Sequence, residues 1–449
     1  MKKLIFSFYL LSTVFVNAQC WNTIYSGGIH TYGVKTDGTV WVTGQNTYGQ
    51  LGIGTNTSQT EFSLFSNSNV WSTFSLGSYH TLGLKTDGTL WSWGANAAGQ
   101  LGDGTNSDKN SPVQIGIASD WLAIKAGGSH SLALKSNGTL WAWGSNLIGQ
   151  LGDGTTISKN TPVQIGTSTD WFKLGIGLTH SFAIKTNGAL WAWGQNLGKL
   201  GDGTTINRTS PVAVGTDTNW DKVYGGVNSS VAIKTDGTIW SWGNNSYGEL
   251  GTGNTTPSYS PTQIGNSNWL DIIYSGHHVL AVKTDGTLWA WGNNNSYRLG
   301  DGTTINRNVP TSISTENNWL KVATGGSHSL GLKANNSLHI WGFESSGALG
   351  NGGVNQTIPI PTALGTCTLA NENFIKTQIT IYPNPTKNTL NITTTTPLQK
   401  TIIYNLLGAK VYEQAFNESI DVSNLPSGVY VVKFYGEENE VFIEKIVKE

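Results

Sequence analysis

The sequence predicts an all-β protein, a seven-bladed β-propeller of four-stranded antiparallel blades followed by a small Ig-like β-sandwich, and three observations carry that prediction. A phrase of glycine, two residues and histidine, then Lys-x-Asp/Asn-Gly-Thr-Leu-Trp-x-Trp-Gly, then Gly-Gln-Leu-Gly-x-Gly returns seven times. The tryptophans that open the copies, Trp21, Trp71, Trp121, Trp171, Trp220, Trp269 and Trp319, are spaced by 50, 50, 50, 49, 49 and 50 residues. After Cys367 the tryptophans stop and a different alternating pattern begins. A fixed period of this size marks a solenoid or a propeller, because one unit cannot bury its own apolar faces and must stack on its neighbours.

Residues 1–18 read as a signal peptide. Lys2 and Lys3 precede an apolar run, and Val16-Asn17-Ala18 offers small residues before a cut at Gln19. The run is too short and too early to span a bilayer, and no other segment of the sequence is apolar for long enough. Residues 19–368 form the repeat region and 369–449 a separate domain.

One copy shows what the unit is. In the third, Trp121-Leu-Ala-Ile-Lys-Ala-Gly-Gly is a short run ending at glycines, and Ser131-Leu-Ala-Leu-Lys alternates small and large residues. Ser136-Asn137-Gly138 reverses the chain, as expected of a type I′ hairpin turn, and Leu140-Trp141-Ala142-Trp143 returns. Pro162-Val163-Gln164-Ile165-Gly166 supplies a further strand, closing the next unit of the pattern. Each strand pair has a bulky face and a small-residue face, so neighbouring sheets can bury both. An open stack would need polar caps that the sequence lacks, which favours a closed ring within the usual four to eight blades. All 19 tryptophans lie in these strands, where packing needs bulk; a tryptophan platform for sugars is the weaker reading.

The composition agrees. The chain has 449 residues, 57 of them glycine, with 12% charged and a formal net charge of -1. Residues 20–370 carry 17 Lys and Arg against 18 Asp and Glu, and residues 371–449 carry 7 against 9. Neither part has the basic excess that holds phosphates, so nucleic acid is not an expected partner.

Cys20 and Cys367 are the only cysteines. If the ring closes, the repeat register puts Cys367 at the position of Ala118 and Cys20 at that of Asp120. That is about 6–7 Å between Cα atoms, within or at the edge of disulfide range. An exported chain permits the bond, and a disulfide fastening the ring is expected. A lipidated Cys20 is the rival reading, for which Gln19 is a poor preceding residue.

Copies such as Gly127-Gly-Ser-His130-Ser-Leu-Ala-Leu-Lys135, Asn137-Gly-Thr-Leu-Trp-Ala-Trp-Gly144 and Gly149-Gln-Leu-Gly-Asp-Gly154 resemble the repeats of the regulator of chromosome condensation family over about residues 20–366. The resemblance implies a seven-bladed propeller and, across the family, binding roles. These include a nucleotide exchange factor for a nuclear GTPase and secreted inhibitors of β-lactamase; kelch propellers share the period but lack the Gly-Gln-Leu-Gly loop. Export, the absence of a basic face and the lack of a long insertion speak against the exchange-factor role. The tail, about residues 372–449, resembles the C-terminal sorting domain of the type IX secretion system. Its matching residues are Tyr382-Pro383-Asn384-Pro385, Asn405-Leu406-Leu407-Gly408, Leu425-Pro426-Ser427-Gly428-Val429-Tyr430 with Lys433, and Lys445-Ile-Val-Lys448. It implies passage through that machinery and release or attachment at the outer-membrane surface.

Several sets invite a catalytic reading. His30, His80, His130, His180, His278 and His328 share one repeated position, which Ser229 fills in the fifth copy. Equivalent points on different blades are spread around a circle, whereas metal ligands converge within about 2 Å of one ion, so imidazoles bonded to loop backbone are expected. Asp37, Asp87, Asp236 and Asp285 alternate with Asn137 and Asn187, an exchange turns tolerate and a general acid or base does not. Asp103, Asp153, Asp202 and Asp301 give one acid per Gly-Asp-Gly-Thr loop, thin for calcium. No nucleophile stands out. The expectation is therefore an exported, non-catalytic, monomeric binding or adhesion protein with no cofactor and no metal, its ligand a protein or glycan. A secreted inhibitor or accessory factor of an extracellular enzyme is the alternative. The candidate ligand residues are Tyr48, Ile148, Tyr247 and Tyr297, on the variable loops after Trp-Gly.

Overall fold

A computed structural model describes residues 20–266, 269–343, 345–365, 379–394, 397–405, 410–436 and 441–449. They belong to two compact units, the repeat region and the C-terminal segment. Cys367 and Gly408 lie outside the described residues.

The repeat region contains seven four-stranded sheets, each with its strands in sequence order. In blade 3 the strands are Trp121–Ala126, His130–Lys135, Leu140–Gly144 and Lys159–Gln164. The Pro-Val strand pairs with the third strand of its own copy, Trp141 opposite Gln164 and Ala142 opposite Val163. It is thus the outer strand of the same blade, which corrects its expected place in the next unit. Blade 1 runs from Trp21 to Ser66 and blade 7 from Trp319 to Ala363, and no strand is exchanged between them.

The hairpin between the second and third strands also differs from expectation. Gly138 has φ +77°, but Ser136 and Asn137 are not left-handed. The Gly138 N–H donates to Lys135 O at 2.9 Å and the Lys135 N–H to Thr139 O at 3.1 Å. This is a three-residue loop with one left-handed glycine, not a two-residue type I′ turn, which needs positive φ at both central residues. The acid or amide two residues before the threonine caps it: Asp87 Oδ1 accepts from the Thr89 N–H at 2.9 Å and Oγ1 at 2.6 Å.

Blades stack on one another through apolar side chains. Leu132, Leu134, Leu140, Leu151 and Ile165 of blade 3 pack against Trp171, Leu174, Ala183 and Trp193 of blade 4. Trp21 and Ile24 of blade 1 pack in the same way against Ala323, Leu330, Leu332, Leu338, Ile340 and Leu349 of blade 7. The ring is closed. The first strand of every blade lines the central channel and the Pro-Val strand is outermost.

The C-terminal unit has two sheets. One joins Thr380–Tyr382, Thr389–Thr393 and Ser419–Asp421; the other orders Lys410–Ala415, Leu398–Asn405, Gly428–Gly436 and Val441–Lys448. Leu390, Ile392 and Ile420 from the first meet Ile403, Tyr430, Val432, Phe434 and Ile446 from the second in one core. The alternation of apolar residues places them there, since strand side chains point to opposite faces in turn.

Candidate functional site

The repeated motif residues make the contacts between blades. Gln100 O of blade 2 accepts from Trp143 Nε1 at 2.9 Å and from Ser131 Oγ at 2.8 Å, both of blade 3. His80 of blade 2 meets the same Ser131 Oγ through Nε2 at 2.9 Å. The serine proton is committed to Gln100 O, so the proton in the second bond belongs to His80 Nε2, which fixes the tautomer. Nδ1 is left without a partner among the described residues and faces Gly77, where a Cβ would come within 2.6 Å. Burial holds the His80 pKa down at about 3, because protonation would place a charge against that wall with no acceptor. The same bond recurs as His30 to Thr81, His130 to Ser181, His180 to Ser230 and His278 to Ser329, at 2.9–3.0 Å. The expected imidazole–backbone bonds are therefore corrected: the partner is the hydroxyl one residue past the equivalent histidine of the next blade. Where Ser229 replaces histidine, the Tyr274 phenol from blade 6 fills the place and bonds to it.

The Gly-Gln-Leu-Gly loop serves the same joint. Gly102, at φ +77°, lies beneath the Trp143 indole, and a Cβ there would approach it to 2.8 Å. The loop acids bond within their own loops. Asp103 Oδ1 accepts from Asn96 Nδ2 at 3.0 Å and from Thr105 Oγ1 at 2.8 Å, and its Oδ2 faces Lys109 at 3.5 Å. Asp202 and Asp301 are matched by Arg208 and Arg307 at 2.7 and 2.6 Å. Among the described residues no cluster of three ligating side chains is present.

The candidate loop residues lie on the face that carries the Gly-Gly turns. Tyr48 is exposed and pairs edge-on with Tyr79 of the next blade at 5.4 Å. Tyr247 packs at a tilt against His277 of the next blade at 5.2 Å. Ile148, Tyr247 and Tyr297 are half-buried, and Leu147 rather than Ile148 is the open residue at 75% exposure. Three of these backbones are pinned by the buried side chain two residues on: Gln50 Oε1 accepts from the Tyr48 N–H at 3.0 Å, Gln150 Oε1 from the Ile148 N–H at 3.0 Å and Glu249 Oε2 from the Tyr247 N–H at 2.7 Å. On the opposite face the residue after the opening tryptophan is open and apolar in four blades, Leu122, Phe172, Leu270 and Leu320.

Sequence reasoning missed the channel. Its cavity of about 250 Å³ is lined by the fifth residue of the first strands, including Tyr25, Ser75, Lys125, Tyr224 and Ile273, and reaches the Gly-Gly turns. The position varies from blade to blade inside an otherwise constant motif, which was the available signal.

In the C-terminal unit the motif residues converge although they are distant in sequence. Asn384 Oδ1 accepts from the Val447 N–H at 2.8 Å, and Thr386 lies beside Lys448 in a parallel bridge, so the turn carrying Pro383 and Pro385 is fastened to the last strand, which includes Lys445. Gly428 opens the neighbouring strand and the Tyr430 hydroxyl donates to Pro426 O at 2.8 Å.

Seven contiguous blades stitched by this joint define a β-propeller whose repeats are built for packing. The chain belongs to the RCC1-like domain family, which it matches over residues 60–380, with a regulator of chromosome condensation (RCC1) repeat at residues 23–50. Residues 380–449 match the secretion system C-terminal sorting domain, of the type IX kind, which implies secretion or outer-membrane attachment. Among solved structures, Prp20p from Saccharomyces cerevisiae superposes with a TM-score of 0.67 at 22% identity, over 78% of this chain and 88% of that one. Human WBSCR16 gives 0.65 at 22% identity, over 73% and 94%. At these identities the likeness is one of fold. An ulvan lyase of Nonlabens ulvanivorans is 35% identical over 89 residues, 19% of this chain and only 17% of that enzyme.

Proposed function

We propose that this protein is an exported, non-catalytic binding protein of the cell surface or medium, which presents the variable loops of the propeller to a protein or glycan while its C-terminal domain directs type IX secretion. One observation carries the reading: the titratable groups that repeat from blade to blade are taken up in joints and turns, whereas the loops after Trp-Gly vary among the blades, with Ser-Tyr shared only by blades 5 and 6. Tyr48 and Tyr247, each packed against a ring of the neighbouring blade, offer aromatic surface of the kind recognition uses. The test is capture of defined glycan arrays and purified co-secreted proteins by the mature chain. Tyr48→Ala with Tyr247→Ala is expected to weaken the best ligand at least tenfold; unchanged binding removes these loops from the site.

Residues 1–18 are the proposed signal peptide, and Cys20–Cys367 the proposed bond. Cys20 is buried at the start of the first blade, against which the last blade packs. Closing so long a loop contributes about 5 kcal/mol in the chain-entropy model. Intact mass of the mature protein before and after reduction and alkylation decides: two free thiols without reduction would remove the bond.

A further inference from the structure

We propose that the central channel is a binding site for a small organic carboxylate, held by Lys125 with the phenols of Tyr25 and Tyr224. All three are half-buried side chains of the channel wall. Lys125 Nζ lies 5.7 Å from the Tyr224 ring centroid. Among the described residues neither this ammonium nor either phenol hydroxyl makes a hydrogen bond within the protein, in contrast to the buried serines and tryptophans of the joints. Three donors without acceptors in one cavity suit an anion with several lone pairs.

The charge around them is mixed: Asp271 acts on Lys125, and Asp271 and Asp221 both act on the Tyr224 phenol, within a surplus of lysine. Two residues earlier in the first strands, Lys173 pairs with Asp221, Lys222 lies 3.9 Å from Asp271, and Lys321 donates to the Thr23 hydroxyl at 3.2 Å and also acts on Asp271. With Lys125, four lysines stand against two aspartates in a chain whose formal net charge is -1. Burial lowers the Lys125 pKa and Asp271 opposes that shift, so the ammonium is poorly hydrated and gains from an incoming anion. The wall also carries Leu76, Ile176 and Ile273, interspersed with Ser26, Ser75 and Ser275. A cavity of about 250 Å³ therefore fits an acid with a compact apolar body rather than a bare ion. At the turn end the lining is mostly glycine, such as Gly27, Gly28, Gly127 and Gly128, joined by the side chains of Ser78, Leu178 and Val227.

The site is separate from the loop residues, so its failure leaves the loop reading standing. The test is titration of the mature full chain with benzoate, benzamide and inorganic sulfate, followed by calorimetry and by the NMR signal of the Lys125 ammonium. Benzoate is expected to bind with a Kd below about 1 mM, equivalent to about −4 kcal/mol, with benzamide and sulfate each at least tenfold weaker. Lys125→Gln is expected to abolish the difference between benzoate and benzamide, and Tyr224→Phe to weaken benzoate severalfold, both with unchanged melting temperature. Equal binding of benzamide, sulfate binding as tight as benzoate, an unaffected Lys125→Gln variant, or no benzoate binding at 10 mM, on the order of −3 kcal/mol, overturns the proposal.

Discussion

The joint between blades 2 and 3 and the joint that closes the ring, between blades 7 and 1, perform the same task with different side chains. In the ordinary joint one carbonyl, Gln100 O, accepts from both Trp143 and Ser131. In the closing joint the task is divided: Thr31 Oγ1 donates to Ala348 O at 2.8 Å and Thr43 Oγ1 to Gly347 O at 2.7 Å. Thr43 stands where the other blades have the second tryptophan of Trp-x-Trp, and Phe62 fills the freed space, 4.6 Å from the Trp21 ring and against Gly350. His328 reaches Ser26 at 2.9 Å and Thr31 only at 3.4 Å. Backbone bonds continue across the gap, Gly326 N–H to Gly28 O at 2.9 Å and Trp21 N–H to Asn336 O at 3.1 Å. The geometry of closure is retained while the largest buried side chain is lost, so closure is the thinner joint, and the proposed disulfide sits beside it.

The largest expected effect is of acid on the histidine bonds of every joint. Their folded pKa values lie below the unfolded one, so their contribution is complete above about pH 6.5 and is lost as pH falls toward the folded values. Each neutral imidazole gives up about 1.4 kcal/mol per pH unit within that window. The pKa of His30, His80 and His130 is held at about 3, that of His328 in the closing joint at about 4. Carboxylates lowered by their turn bonds, such as Asp103 and Asp153, act only below the usual carboxylate range, and the two that burial raises, Glu249 and Asp271, act with the opposite sign, gaining stability as pH falls, so the loss above about pH 4.5 is carried by the more numerous histidines. Urea unfolding at pH 7, 6 and 5 should show a steep loss of stability with net proton uptake; equal stability at pH 7 and 5 would break the account of the joints.

Side-chain truncation sharpens the contrast. Trp143→Ala removes a fully buried indole and is expected to cost about 3–5 kcal/mol, read as a lower urea midpoint. Thr43→Ala, its closing counterpart, should cost only about 1 kcal/mol. Equal costs would mean that the two joints do not differ as described. Tyr274→Phe, which removes the hydroxyl standing in for the missing histidine, is expected to cost as little as Thr43→Ala, about 1 kcal/mol.

Much of this was legible in the sequence because the period, the hairpin turns and the alternating strands are local signals repeated seven times. The hairpin type was misread because Asp-Gly and Asn-Gly serve two loop lengths, and only φ at Asn137 separates them. The histidine partner was hidden for a different reason: His80 and Ser131 are 51 residues apart, and a period says that copies touch without saying which atoms meet. Lys125 was passed over since nothing in a strand's alternation distinguishes a channel wall from a solvent face. Of the candidate loop residues, Tyr48 is exposed, while Ile148 is less open than its neighbour Leu147, a difference the alternation of a loop does not reveal.

Closure can be measured directly at Glu61 and Asn351, which face each other across the closing joint as an isolated antiparallel bridge. Opposed residues in such a pair have Cα atoms about 4.5–5.5 Å apart, within reach of a disulfide. In a chain carrying Cys20→Ser and Cys367→Ser, Glu61→Cys with Asn351→Cys is expected to form an intrachain bond under mild oxidation, seen as the loss of two hydrogens in intact mass with no dimer. Two thiols that stay free, or that pair only between molecules, would mean that blade 7 does not meet blade 1.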